Sequence, residues 1–437
     1  MRWYPSSLTH LAPLSPLPPS SASLYERPVN LDAAKKAHAE FRRVMREAGV
    51  KVRERERERK KEKKEERWWG LRATPRPERH GAHVPLSPFL HSFLQVLTVR
   101  DILSFGVASH MGARVELEEL AMKALTYRLA PGADPAAVSE ADAFYLGDDY
   151  KRRVLEHMSI AQLIETLLIN PTVDLRPSGR DTGLTATYEF QPLSNLVYTR
   201  DQQVTTAGGV VMGRLRSPQR ALEVDLMAFC FHKLGLPVLG AIRAPGFLEG
   251  GDFFPAGPGL ALLGVGLRSN EDAAVQLMEA DWLGGVATLA VVRDDHDQAQ
   301  DRMHLDCVFS LLGDDVCLML ADMMGEASPT KRTVDEWVRD PGTGKYALAS
   351  TGTEFAAFMR GRGFHIIPVP AVDQLAYGCN CLNLGAGKIL SVHAGTARSI
   401  VRDPRFRGDV QVVDFGPITS MYGAVHCASQ VVKRAPR

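Results

Sequence analysis

The sequence predicts an α/β protein in which short strands with glycine turns alternate with helices. Past residue 190, strands or hairpins are predicted at Gly208–Leu215, Leu260–Leu267, Val286–Val292, Val308–Met319 and Asn380–Val392. Helices are predicted between them at Ala221–Leu234, Glu271–Asp281 and Gly352–Gly363, the last closed by a glycine. This alternation of hairpin and helix is typical of repeated units around a central site.

The chain before residue 190 has a different pattern. Apolar residues recur at helical spacing in Glu116–Leu129 and again in Tyr150–Ile169, which predicts a mainly helical segment. Further upstream, Asp32–Val52 has the pattern of a capped helix that ends at Gly49 and is followed by a short strand, Val50–Val52.

The composition is that of a soluble enzyme. The chain has 437 residues, of which 45% are hydrophobic and 24% charged, with a formal net charge of +1. This length can bury a large core, and the near-neutral charge gives no reason to expect a nucleic-acid or membrane-surface partner. No run of about 18 apolar residues is present, which excludes a membrane-spanning helix. The six cysteines are scattered, as expected for reduced thiols in a reducing compartment such as the cytoplasm.

The first 88 residues contain two unusual stretches. Met1–Tyr25 has no acidic residue, so a transit peptide for a plastid or a mitochondrion is an alternative to a cytoplasmic location. Arg53–Pro88 begins with a mixed run of Arg, Lys and Glu, and we interpret it as an insertion that is solvated helix or disordered.

Short segments far apart in the chain carry the residue types needed to hydrolyse a guanidinium group. These segments are NLVYTRD at 195–201, EGGD at 249–252, HLD at 304–306 and HC at 426–427. A guanidinium is planar and cationic, so Asp201, Glu249 and Asp306 are candidates to hold its nitrogens. Cys427 is the candidate nucleophile, because a thiolate is reactive and a bound cation lowers the thiol pKa.

His304 is the candidate acid and base. It lies two residues from Asp306, so the two side chains would project to the same side if that stretch is extended. From there it could protonate the leaving ammonia and later activate water. Each of these residues taken singly also has an ordinary structural explanation; their joint occurrence favours the catalytic one.

With these motifs in this order, the chain resembles the arginine deiminases of the guanidino-modifying (pentein) superfamily from about Leu97 to its end. The resemblance implies that the TRD aspartate, the EGGD glutamate, the HLD histidine and aspartate, and the C-terminal cysteine are catalytic. It further implies that the amino-acid end of arginine is bound by Asn195, Arg220 and Arg268, since two arginines can pair with a carboxylate.

The resemblance also implies a fold, a five-bladed pseudo-symmetric α/β propeller with a helical insertion after the first blade. That insertion is typical of arginine deiminases and absent from smaller relatives in the superfamily. The predicted organisation is an irregular segment at 1–31, parts of the first blade at 32–52 and 89–111, the charged insertion at 53–88, the helical insertion at 112–190 and the remaining blades at 191–437.

The implied reaction is hydrolysis of L-arginine to L-citrulline and ammonia without metal or organic cofactor. Two alternatives stay open: another guanidino-modifying enzyme, such as an amidinotransferase, and a catalytically inactive arginine-binding protein. Cys379, Cys381 and His393 suggest a zinc site, but they lack a CxxC pair and fall in a predicted hairpin, so no metal is expected. The small molecule L-arginine is the expected partner, and whether the chain forms a homo-oligomer is left open.

Overall fold

The computed structural model describes residues 30–47, 51–52, 95–178, 183–257, 259–296 and 298–432. They fall into two compact units, and the described part of the first is Leu97–Ser194. The second holds residues 30–47, 51–52 and 95–96 together with the chain from Asn195 onward. The charged insertion at 53–88 and nearly all of the N-terminal segment at 1–31 lie outside the described residues.

The first unit combines helices with one small sheet. Its helices are α2 (Val99–Ser104), α3 (Met111–Ala124), α4 (Glu140–Ala143), α5 (Asp148–Glu156) and α6 (Ile160–Ile169). Its strands are β3 (Thr126–Leu129), β4 (Pro171–Pro177) and β5 (Leu184–Phe190), with β4 in the middle, parallel to β3 and antiparallel to β5. The sequence patterns did not predict this sheet.

Two predicted helices of this unit have different bounds in the structure. The helix predicted at Glu116–Leu129 ends at Ala124, because the residues after it pair with β4 as a strand. The helix predicted at Tyr150–Ile169 is two helices, α5 and α6. Ser159 begins the second one, and its side chain and that of Gln162 form a reciprocal capping box.

The second unit repeats one pattern of strand, strand, helix and strand four times. The repeats are β6 (Gln203–Thr205), β7 (Val210–Met212), α7 (Ala221–Lys233) and β8 (Val238–Ala241); β9 (Phe253–Pro255), β10 (Leu260–Val265), α8 (Glu271–Glu279) and β11 (Thr288–Arg293); β12 (Phe309–Leu311), β13 (Val316–Leu320), α9 (Phe355–Gly361) and β16 (His365–Val369); and β17 (Leu382–Gly385), β18 (Lys388–Ser391), α11 (Ala394–Arg402) and β19 (Asp409–Val412).

The strands pair in the same way in every repeat. The first strand is antiparallel to the second, and the third returns after the helix to lie parallel to the second. The middle strand is therefore covered on both edges, and in β10 and β13 every residue is buried. Such all-apolar strands are typical of sheets packed on both faces. The fold is mixed α/β, as the sequence predicts.

Further elements surround these repeats. A hairpin of β14 (Thr333–Arg339) and β15 (Tyr346–Glu354) pairs with β11 and extends the second sheet to five strands. At the N-terminal end, α1 (Leu31–Glu47) packs on the short helix α12 (Gly416–Thr419), with the Phe41 and Phe415 rings 5.2 Å apart. The strand β1 (Lys51–Val52) pairs in parallel with β2 (Gln95–Val96), and α10 (Ala371–Leu375) follows β16.

Most local predictions for the second unit are confirmed. The helices predicted at Ala221–Leu234 and Glu271–Asp281 end within two residues of α7 and α8, and the two predicted hairpins are β12–β13 and β17–β18. The helix predicted at Gly352–Gly363 was placed too early, because β15 continues to Glu354. The Glu354 carboxylate then caps α9 by accepting hydrogen bonds from the backbone N–H groups of Ala356 and Ala357.

The prediction for the N-terminal helix is close to the structure, which ends α1 at Glu47 and begins β1 at Lys51. In the part of the chain that the structure describes, no helix is long and apolar enough to cross a membrane.

Candidate active site

Each repeat of the second unit begins with a polar residue just before its first strand. These residues are Asp201 before β6, Asp252 before β9, Asp306 before β12 and Asn380 before β17. All four are buried. Because a buried polar group is costly without a partner, their contacts show what holds this region together.

A ring of hydrogen bonds links these segments from one repeat to the next. It runs from Gly250 N to Asp201 O (3.1 Å), from Leu305 N to Asp252 Oδ1 (2.9 Å), from Asn380 Nδ2 to Asp306 O (3.2 Å), from His426 N to Asn380 Oδ1 (3.0 Å) and from Arg200 N to Cys427 O (3.1 Å). Segments that are distant in the sequence are therefore neighbours here, and each catalytic candidate lies on a segment of this ring.

The two glycines of EGGD are required by close packing. A Cβ atom on Gly250 would lie 2.0 Å from the carbonyl oxygen of Arg200. A Cβ atom on Gly251 would lie 2.8 Å from Cγ of the His304 imidazole. Only glycine fits where backbone or a ring approaches this closely. The motif thus allows the Glu249 segment to lie against both the TRD and the HLD segments.

His304 and Glu249 form a buried ion pair. His304 Nε2 lies 2.8 Å from Glu249 Oε2, and the other carboxylate oxygen accepts a hydrogen bond from Arg216 N at 2.8 Å. Burial would lower the pKa of His304, but Asp201, Glu249 and Asp252 outweigh it and raise this pKa to about 10. Burial would raise the pKa of Glu249, but His304 lowers it to about 2. At neutral pH the pair is therefore imidazolium and carboxylate.

Asp252, the last residue of EGGD, holds the backbone next to His304. Its Oδ2 accepts a hydrogen bond from Ser269 Oγ (2.7 Å), and its Oδ1 accepts one from Leu305 N, the residue after His304. Burial raises the pKa of Asp252 to about 6, against the opposing effect of His304. Asp252 therefore fixes the backbone beside the imidazole.

The HLD segment is not extended. The prediction that His304 and Asp306 project to the same side of an extended stretch is therefore wrong. Residues Leu305–Cys307 form a 3₁₀ turn, and the two side chains meet different partners. While His304 contacts Glu249, Asp306 Oδ2 lies 2.8 Å from His426 Nδ1 and 3.4 Å from Cys427 Sγ. A tight turn, rather than the two-residue alternation of a strand, directs these side chains.

Cys427 is buried among polar groups. Its Sγ lies near Asp306 and accepts a hydrogen bond from Asn380 Nδ2 at 3.2 Å. Burial, followed by the charges of nearby groups led by Asp306, raises the pKa of the Cys427 thiol well above 9. Without a bound cation the sulfur is thus a neutral thiol that donates to the Asp306 carboxylate.

His426 lies in the same cluster. Its ring stacks on Phe254 with 5.1 Å between ring centroids and 10° between planes. Burial, followed by the charge of Arg200, lowers the pKa of His426, so the imidazole is neutral and its Nδ1–H donates to Asp306. Burial would raise the pKa of Asp306, but this hydrogen bond lowers it, which keeps the carboxylate charged.

Asp201 has one carboxylate oxygen engaged and one available. Its Oδ2 accepts a hydrogen bond from Arg220 Nη1 at 2.7 Å, and Oδ1 is buried with no hydrogen-bond partner among the described residues. The Arg220 guanidinium also donates to Glu223 Oε2 from Nε (3.0 Å) and Nη2 (2.8 Å). A buried acceptor without a donor is expensive to maintain, which suits an atom that receives a ligand N–H.

The three residues predicted to bind the amino-acid end of arginine lie in the second unit. Arg220 is buried beside Asp201, and its Nη2 lies 3.5 Å from the backbone oxygen of the buried Asn195. Arg268 has different contacts: its Nη2 donates a hydrogen bond to Gln300 Oε1 (3.2 Å) and lies 3.4 Å from Met303 Sδ. Their binding roles stay predictions.

Three polar residues of this cluster were not among the predicted site residues. Asp252 is the last letter of EGGD, and His426 belongs to the HC motif beside Cys427. Asn380 lies between the two cysteines of the rejected zinc site. The other zinc candidates have local explanations, since Cys381 Sγ contacts Gly378 O and His393 Nδ1 accepts a hydrogen bond from Thr396 N at the start of α11. Among the described residues, no three His, Cys, Asp or Glu side chains are arranged so that they could hold a metal ion.

Comparison with known proteins agrees with these motifs. The family model described as arginine deiminase matches residues 96–434. The chain belongs to the arginine deiminase family. It is 26% identical over 324 residues to the arginine deiminase of Halobacterium salinarum, in a match that covers 56% of this chain and 65% of that protein. To the Mycobacterium avium arginine deiminase it is 27% identical over 232 residues, covering 48% and 56%.

The matched regions thus span less than two thirds of the length of these relatives. Among solved structures, a product-bound N-terminal domain of a cyanobacterial arginine dihydrolase is similar at a TM-score of 0.42 and 17% identity, over 71% of this chain and 96% of that one. A dimethylarginine dimethylaminohydrolase adduct is similar at 0.41 and 18%, over 70% and 96%. The family assignment rests on the family model, which matches most of the chain.

Proposed function

We propose that this member of the arginine deiminase family hydrolyses L-arginine to L-citrulline and ammonia. The observation that carries the proposal is the position of Cys427 against Asp306, in one buried cluster with the His304–Glu249 pair. A thiol, an acid–base histidine and several carboxylates are the groups that this reaction needs. Family membership directs the choice of substrate toward arginine.

The carboxylates of the cluster suit a guanidinium cation. Asp201 Oδ1 is a buried acceptor with no partner among the described residues, and Asp306 is charged beside the sulfur. A guanidinium presents several N–H donors in one plane and carries the positive charge that these groups lack. We infer that Asp201, Glu249 and Asp306 hold the guanidinium nitrogens, with its central carbon facing Cys427.

The bound cation would also activate the nucleophile. Burial and the charge of Asp306 raise the pKa of the Cys427 thiol, so the resting enzyme holds little thiolate. A guanidinium placed between the carboxylates and the sulfur has the opposite effect, since a nearby positive charge favours the ionised form. The thiol proton would go to solvent, while Asp306 stays ionised and holds the guanidinium. Substrate binding and thiolate formation are thereby coupled.

His304 would serve first as an acid and then as a base. With a pKa of about 10 it is protonated at neutral pH. After Cys427 attacks the guanidinium carbon, His304 gives its proton to the departing nitrogen. Ammonia is released, and the rest of the substrate stays bound to Cys427 as a covalent thiouronium. The neutral imidazole beside Glu249 is then a strong base. It takes a proton from water as the water attacks this carbon, and citrulline is released as the thiol reforms.

We further infer how the rest of the substrate and the fold are arranged. Asn195, Arg220 and Arg268 are proposed to bind the amino-acid end of arginine, and Arg268 Nε is a buried donor with no partner in the described part of the chain.

The four repeats support a five-bladed propeller in which α1, β1 and β2 contribute to the remaining blade. The mechanism requires no metal or cofactor.

The proposal is tested by measuring citrulline and ammonia released from L-arginine by the purified protein. We expect equal amounts of both, and complete loss of turnover in Cys427→Ser with an unchanged circular dichroism spectrum. Cys230→Ala, which changes a buried cysteine in α7, should keep its turnover and serves as the matched control.

The products also separate the alternatives. Ornithine formed in the presence of an acceptor amine would identify an amidinotransferase. Binding of arginine without ammonia from a folded wild type would identify an inactive binding protein. Full activity in Cys427→Ser would contradict the mechanism.

A further inference from the structure

The sulfur of Cys427 lies beside the carboxylate of Asp306. As a thiol it can donate its single proton to Asp306 Oδ2 at 3.4 Å. Once it is a thiolate it can only accept, and it then lies against a carboxylate of the same sign. A buried anion in such a place needs donors aimed at it.

Asn380 supplies a donor before any substrate is bound. It is 1% exposed, and its Nδ2 lies 3.2 Å from Cys427 Sγ and 3.2 Å from the backbone oxygen of Asp306. Its Oδ1 accepts a hydrogen bond from His426 N at 3.0 Å and lies 3.5 Å from Cys427 N. The amide thus has two acceptors on its nitrogen side and two donors on its oxygen side.

This pattern fixes the orientation of the amide. If Asn380 were rotated by half a turn, its oxygen would face the Asp306 carbonyl and its NH₂ would face backbone N–H groups, which is unfavourable at both ends. The nitrogen is therefore the atom that faces the sulfur. A donor held in place by the backbone of two segments does not have to reorganise when the thiolate forms.

Asn380 is the one amide among four buried residues that shortly precede the first strands of the repeats, one in each repeat. In the other three repeats this residue is an aspartate: Asp201 before β6, Asp252 before β9 and Asp306 before β12. In both Asp252 and Asn380 the side-chain oxygen accepts from a backbone N–H of the next segment, which is Leu305 in one case and His426 in the other. An aspartate at 380 could keep that bond but would turn a donor into a negative charge at the sulfur.

We propose that Asn380 is a catalytic residue whose Nδ2–H stabilises the Cys427 thiolate by a hydrogen bond to Sγ. The inference rests on the proposed function, because it assumes that Cys427 is the nucleophile. Asn380 orients the sulfur through the backbone of residues 426 and 427 and stabilises its charge directly. Its effect belongs to the chemical step, so it should change kcat more than KM.

The test is the rate at which iodoacetamide alkylates Cys427 without substrate, read from the peptide that contains Cys427 by mass spectrometry between pH 7.5 and 9.5. Iodoacetamide is uncharged and reacts with the thiolate, so the rate follows the ionised fraction. Two variants separate hydrogen bonding from charge: Asn380→Asp keeps the shape and adds a charge, and Asn380→Ala removes the donor without adding one.

We expect alkylation at a given pH to fall about tenfold in Asn380→Ala, which corresponds to a rise of about 1 in the thiol pKa, and further in Asn380→Asp. The kcat for arginine should fall in the same order. Asn383→Asp is the matched control, because Asn383 lies in the β17–β18 hairpin and bonds to Gly385 N and Leu311 O. It should alkylate like the wild type.

The outcomes decide between the hydrogen bond and other roles. An unchanged or faster rate in Asn380→Ala overturns the inference, including the case in which only Asn380→Asp is slow, since charge alone then explains the effect. Thermal unfolding of each variant checks that it is folded, and if Asn380→Asp does not fold, Asn380→Ala still decides. A wild type that makes no citrulline but shows the predicted alkylation rates overturns the proposed function and not the hydrogen bond.

Discussion

The buried His304–Glu249 pair makes the stability of the protein depend on pH in a defined window. The pKa of His304 is about 10 in the folded protein, whereas its ordinary value, expected in the unfolded chain, is 6.5. Below pH 6.5 both states carry the proton, so the stabilisation is complete there. It is lost as the pH rises from 6.5 to 10, because the folded state then holds a proton that the unfolded state has released.

The size of the effect follows from this difference in pKa. Each unit is worth ~1.4 kcal/mol, so the protonated histidine contributes at most roughly 5 kcal/mol. Replacing Glu249 with Gln removes the carboxylate that both hydrogen-bonds and attracts the imidazolium, while Asp201 and Asp252 remain. On the order of half of the rise should disappear, so the loss of stability across the window should shrink to about 2–3 kcal/mol.

The measurement is urea unfolding, followed by circular dichroism, of wild type and Glu249→Gln at several pH values between 6.5 and 10. Groups that titrate equally in both proteins cancel in the difference between the two curves. Asp403→Asn is the matched control. It removes a carboxylate that lies 2.8 Å from His365, the same distance as in the His304–Glu249 pair. Because the His365 side chain is 38% exposed, this pair should contribute little to the free energy of unfolding. Parallel curves for wild type and Glu249→Gln would refute the reasoning.

Two further predictions concern the same region. Gly251→Ala should lower the free energy of unfolding by about 1–3 kcal/mol and reduce turnover, because the new methyl group would collide with the His304 ring. Gly361→Ala is the control and should change neither property, because the space around Gly361 is open. A Gly251→Ala variant with the stability and turnover of the wild type would contradict the packing argument. Arg268→Ala should raise KM for L-arginine about 10-fold or more with little change in kcat, because a charge-assisted bond to the substrate carboxylate is lost; an unchanged KM in steady-state assays would contradict that role.

Much of the local structure could be predicted from the sequence, because it depends on neighbouring residues. Apolar spacing and glycine turns predicted α7, α8 and the hairpins β12–β13 and β17–β18. The hairpin β14–β15 was missed, since β14 is held by pairing with β11 and β15 by pairing with β14, more than by any alternation of their own. The same reason applies to β3, which the apolar spacing placed in a helix and which pairing with β4 makes a strand.

For the candidate site too, some features could be predicted from the sequence and others could not. Residue types in a fixed order were enough to single out Cys427, His304 and the three carboxylates as candidates, because the chemistry of a guanidinium restricts which side chains can act on it. Which side chains touch was beyond the sequence. Asp306 is separated from His426 by 120 residues, and Asn380 from Cys427 by 47.

The sequence by itself therefore determined the repeated α/β units and the candidate catalytic residues. Only the tertiary structure decided that His304 pairs with Glu249, that Asp306 meets His426 and Cys427, and that an asparagine faces the sulfur. The physical reason is that hydrogen bonds between buried groups depend on distance and direction. Those are set when the repeats pack side by side, and no local pattern in the chain records them.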